Sequence, residues 1–150
     1  MLDLVEGAKI INGMTPSTAS NTNSDWINCE NMHRVWAICQ RSEAKGSTNV
    51  FIGQVAESYA GASASNAGCV YWGSTILTTF DRITKSTQST GLDSGSSKGM
   101  VIMMHDPATA DTSDKYFSVN VTSGWGCSVV YICEPRYGGL AQFIATTSST

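Results

Sequence analysis

Charge is scarce in this chain. Asp, Glu, Lys and Arg supply 14% of its 150 residues, against ~25% in ordinary globular domains. The formal balance is −3, so no basic surface for a phosphate backbone is expected and nucleic acid is not an expected partner. No apolar run approaches the ~18 residues of a membrane span, and no membrane is expected either. The opening MLDLVEGAKI carries Asp3 and Glu6 where a secretory leader needs bases, which predicts synthesis in a reducing cytoplasm. The five cysteines are odd in number and form no CxxC pair. Cys39, Cys127 and Cys133 fall inside apolar alternation, where a thiol acts as a small hydrophobe. A Cys29–Cys39 bridge stays open, since it depends on strand geometry. Sustained 3.6-residue periodicity is also missing, which excludes a helical or α/β fold.

What the chain does have is alternation with period two. Val35, Ala37 and Cys39 alternate with Trp36 and Ile38. After a polar loop holding Lys45, Gly46 and Ser47, Ile52 and Gln54 alternate with Phe51 and Val55. Two such runs around a Gly-containing loop predict an antiparallel hairpin over residues 33–58. Both faces of each run carry apolar residues, which predicts central strands covered on both sides. A second hairpin is predicted from 115–122 to 127–133, across a turn at 123–126. Further strands are expected at 8–12, 26–29, 69–72, 75–84 and 100–104, with one helical turn in 108–114 starting near Asp111 or Thr112. Residues 13–24, 59–73 and 85–99 read as polar connectors and loops. The expected fold is all-β: a single antiparallel β-sandwich or jelly-roll-like domain over 25–137. An N-terminal edge strand and arm (1–24) precede it and a tail (138–150) follows.

No constellation for catalysis stands out. Gly95-Ser96-Ser97-Lys98-Gly99 matches the G-x-S-x-G string, but a nucleophile elbow needs a strand before it and a helix after it. Here a polar loop precedes and a strand follows. His105 and Asp106 with Asp111 and Asp114 fit neither a calcium loop nor a two-histidine zinc helix, and read more simply as a strand end with capping acids. The expectation is therefore no enzyme, no cofactor and no metal. Four tryptophans are many for this length. Trp36 reads as core. Trp125, between two glycines, and the Tyr71-Trp72 pair are harder to place inside, and exposed aromatics stack on sugars or anchor protein interfaces.

Taken in order, the segments NGMTP, WINCENMHRVWAICQ, VFIGQVAES, MMHDPATADTSDKYFSVNVT and CEPRYGGL resemble a group of small structural proteins encoded in the head gene modules of tailed bacteriophages. The carriers are the core strand at 51–58, the acid–turn–aromatic–strand segment at 111–121 and the ending Pro135-Arg136-Tyr137. The resemblance implies a virion protein on the capsid surface, made in the host cytoplasm, of the decoration or cement type. Its partners would be the major capsid protein and copies of itself in a homotrimer. Trp72, Trp125, Arg136 and Tyr137 are the expected interface residues. A head–tail or tail component, or a carbohydrate-binding sandwich for host attachment using Trp72, Trp125 and Tyr71, are the alternatives.

Overall fold

The computed structural model describes residues 8–17, 22–41, 50–74, 81–83, 92–93, 100–122 and 126–136. In chain order the strands are β1 (Lys9–Ser17), β2 (Thr22–Asn23), β3 (Ile27–Asn28), β4 (Met32–Arg41), β5 (Val50–Ala56), β6 (Ser65–Asn66), β7 (Cys69–Ser74), β8 (Asp81–Ile83), β9 (Leu92–Asp93), β10 (Met100–His105), β11 (Tyr116–Val121) and β12 (Cys127–Pro135). A single 3-10 turn, Pro107–Thr109, follows β10. The protein is all-β, with two antiparallel sheets.

The first sheet has the order β1-β12-β4-β10-β7-β8, and the second runs β2-β11-β5-β6, with β3 on β11 and β9 on β5. The pairing is nested. The outermost strands β1 and β12 pair, then β2 and β3 with β11, then β4 with β10, and innermost β5 with β6. The pairs β12–β4 and β11–β5 knit these into sheets.

Neither predicted hairpin forms. β4 lies in the first sheet and β5 in the second; β11 lies in the second and β12 in the first. Alternation decides which face a side chain takes, but not which strand lies alongside. β4 finds its match in β10 and β12, whose inward rows Val101 and Met103, and Val129, Tyr131 and Cys133, meet Val35, Ala37 and Cys39. Phe51, Val55, Phe117, Val119 and Val121 close the core from the second sheet. The connector reading of 13–24 also fails where 13–17 and 22–23 are strand. Gly13 sits at a register break of β1 against β12. A side chain there would run into the Tyr131 ring, which is why the bulge carries glycine. The helical turn starts earlier than predicted. Asp106 caps it by accepting from Ala108 N at 3.0 Å, with Pro107 at its first position, as capping chemistry prefers.

All five cysteines are free and buried, so no Cys29–Cys39 bridge forms. Burial pushes the Cys69 and Cys133 thiols up to about 12, which keeps them protonated and unreactive. Gly53 on β5 faces Cys69 across the core. A Cβ there would lie 2.6 Å from Cys69 Sγ and 3.2 Å from the Phe117 ring. Gly53→Ala is expected to cost about 1–3 kcal/mol by overpacking, read as a lower urea midpoint at unchanged m-value. Cys69→Ala in the same chain should recover part of that loss. A Gly53→Ala protein as stable as the parent would show that the two sheets separate freely at this point.

Candidate functional site

The inward residues of the first sheet occupy every second position, so the alternate positions face away from the core. The cross-strand register lines them up. One row runs Ile10, Ile132, Trp36, Met104, Val70; the next runs Val130, Ile38, Ile102, Trp72. All are half-buried except Ile10, which is 53% exposed. Every described strand belongs to one of the two sheets, so no described element forms a third layer over this face. Among the described residues, a second layer covers the inner face of this sheet alone. An antiparallel sheet that meets water normally alternates apolar with polar. This one carries half-buried apolar residues on its outer side as well, with Asn12 beside Val130 at its β1 edge, which makes it the candidate contact surface.

Trp36 and Trp72 sit at the centre of the face, ring centroids 5.4 Å apart and tilted by 31°. Trp36 is thus not core, as its alternation suggested, but the middle of the outer surface. Its indole Nε1 donates to Glu134 Oε1 at 3.0 Å. Glu134 and Arg34 are register partners at one end of the face, and Gln40 and Ser128 are partners toward the other. The result is an apolar centre with a polar margin, the anatomy of a protein interface.

Of the residues predicted to make contacts, Trp72 lies on this face. Arg136 is exposed just past β12, its backbone N–H donating to Asn31 O at 3.0 Å. Trp125 and Tyr137 lie outside the described residues, as does the Gly95–Gly99 string with Ser97. Tyr71 is 3% exposed and belongs to the core, so it cannot serve as a stacking platform. Trp36, Ile38, Ile102 and Met104 were missed as surface residues. The available signal was the second apolar set in each strand, which periodicity could not separate from a second buried face.

Ser24, Arg41, His105 and Ser118 are the buried polar side chains among the described residues. Tyr131 OH bonds to Ser24 Oγ, and Val119 N–H is shared between Ser24 Oγ at 2.9 Å and Tyr131 OH at 3.1 Å. Ser118 Oγ donates to Ser24 O at 2.8 Å. This network ties β12 of one sheet to β11 of the other. His105, 2% exposed, stacks on Phe117 at 4.8 Å with rings 4° from parallel. Burial is the main cause that lowers its pKa to about 4, opposed by a hydrogen bond to the Gly68 backbone and by the charge of Asp106. It is therefore a neutral imidazole at pH 7. Its Nδ1 has no protein partner. It borders a polar cavity of about 130 Å3 whose lining includes Asn66, Gly68 and Asp111, with room for a few waters to satisfy that nitrogen. Among the described residues, no group of three His, Cys, Asp or Glu side chains converges as a metal site.

No protein-family model, no curated protein and no solved structure matches this chain. The functional reading therefore rests on strand order and on the surface just described.

Proposed function

We propose that this protein is a structural component of a tailed-bacteriophage virion, a decoration protein that binds the outer shell and stabilises it by protein–protein contacts. The observation that carries the reading is the nested strand order. Eight of the strands fall into the two four-stranded rows β1-β12-β4-β10 and β2-β11-β5-β6, which we read as a jelly-roll sandwich. That architecture recurs in viral capsid and lectin domains. Fold alone does not fix function, and the apolar outer face supplies the second support: it is built to be covered by protein. Contacts repeated over a symmetric lattice add by avidity, and a protein that prefers the assembled shell stabilises it by linkage. The major capsid protein is the partner this reading requires. The lectin alternative is weakened because Tyr71 is buried and Trp72 leans on Trp36 rather than standing free.

Cryo-electron microscopy of purified particles tests the proposal. Repeated density on the shell exterior that accepts the two-sheet domain is expected. Density confined to the portal vertex or tail would move the protein to a head–tail or tail role. Particles that lack the protein altogether would refute a virion function.

A further inference from the structure

We propose that the polar cavity beside His105 is a binding site for an ammonium group, carried by a free primary amine or by a lysine side chain.

The cavity, about 130 Å3, lies where the β6–β7 connection meets the 3-10 turn, with Asn66, Gly68, His105, Thr109 and Asp111 in its lining. Thr109 and Asp111 are exposed and open it to solvent, whereas His105 is buried. The hydrogen bonding of this lining is lopsided. Ala67 N–H is spent on Gly53 O at 2.8 Å, and Thr109 N–H on Asp106 O at 3.0 Å. The Thr109 hydroxyl also donates to Asp106 O, at 2.7 Å. Nδ1 of His105 has no protein partner, so the ring meets the Gly68 backbone through Nε2. That bond favours the charged ring, which makes Gly68 O the acceptor and Nε2 the nitrogen that carries the proton. In the neutral imidazole Nδ1 is then a bare lone pair. What remains for an occupant is that lone pair, those of Thr109 Oγ1, and the Asp111 carboxylate. Asn66 adds an amide that can turn either way.

Charge points in the same direction. Asp106 acts on the His105 ring. Burial, then the charges of Asp111 and Glu57, raise the Asp114 carboxyl. Carboxylates thus gather at this end of the molecule, while Lys115, next to Asp114, turns its own ammonium to Glu30 at 3.2 Å. A buried acceptor left without a donor is costly. An occupant that brings N–H groups and a positive charge answers both demands, and an ammonium group carries donors only. A metal ion fits less well, since no three His, Cys, Asp or Glu side chains converge among the described residues.

Imidazole and amide NMR of the isotope-labelled full chain at pH 7 tests the site. Methylammonium chloride is the probe, and tetramethylammonium chloride is the control that carries charge but no N–H. The ceiling on affinity per ligand atom puts so small an ion in the millimolar range. Methylammonium should give a saturable shift of His105 Nδ1 and of the Gly68 amide, and tetramethylammonium should give none. Asp111→Asn, at an exposed position, should weaken binding roughly fivefold by removing the charge. His105→Phe keeps a ring and removes the acceptor, and should weaken it roughly tenfold, read at Gly68. Should His105→Phe disturb the fold, Asp111→Asn keeps the test alive. Absence of a saturable shift up to several hundred millimolar overturns the proposal and leaves the cavity to water. So does an equal response to tetramethylammonium, binding indifferent to both substitutions, or zinc or calcium chloride that saturates the same resonances more tightly. A lysine-containing peptide blocked at both ends separates the two sources. Binding as tight as that of methylammonium assigns the site to a protein's lysine, and exclusion of the peptide assigns it to a free amine.

Discussion

Acidification from pH 7 to below pH 4 is expected to remove about 3 kcal/mol of stability through His105 alone. The imidazole is 2% exposed and is held flat against Phe117, so charging it means placing a cation in an apolar setting. In the folded protein its pKa is lowered from 6.5 to about 4. Between those values the unfolded chain binds the proton and the native state does not. Stability is therefore full above pH 6.5, falls as pH drops toward 4, and levels off below. At ~1.36 kcal/mol per pH unit the interval corresponds to about 3 kcal/mol. Asp25 and Asp114 work the other way, because burial raises their pKa values. Urea unfolding at pH 7, 5.5 and 4 reads the slope. His105→Phe keeps the ring on Phe117 and removes the titration, so the slope between pH 6.5 and 4 should flatten. The same slope in both proteins would place the acid sensitivity elsewhere.

Tyr131→Ala should be among the most damaging single substitutions, at about 3–5 kcal/mol. The ring is fully buried, meets Phe117 edge-on at 6.0 Å and covers the glycine bulge of β1. Its removal opens a cavity where both sheets and the edge strand meet. Tyr131→Phe separates packing from hydrogen bonding. Val119 N–H keeps Ser24 Oγ at 2.9 Å, so only the hydroxyl's share is lost, about 1–2 kcal/mol. Chemical denaturation of the two variants should differ by at least ~1 kcal/mol. Equal losses would mean that the hydroxyl network, not the ring, holds this junction.

Much of the fold was legible because alternation is a local signal. β4, β5, β10, β11 and β12 each read as strands from their own residues, and Asp106 read as a capping acid. Partner choice was not local. The runs at 33–41 and 50–56 look like the arms of a hairpin, yet β4 pairs with β10 and β12 and β5 takes its longest pairing from β11, roughly sixty or more residues away. Connection length could not reveal this, since an eight-residue link serves a hairpin or a step between sheets equally well. The outer face failed for a related reason. Trp36 and Ile38 look the same in sequence whether the second apolar stripe is covered by its own chain or left for another. Tyr71 and Trp72 adjoin, and opposite pleats send one inward and the other out.

The nesting of strand pairs also sets a schedule. The innermost pair, β5 with β6, closes a short stretch and can meet early, whereas β1 waits for β12, the described strand farthest from it along the chain. Until then the long central ribbon of β4 lacks one neighbour. A newborn copy thus shows a sticky backbone edge until β12 has been made, and distant pairings of this sort make for slow maturation.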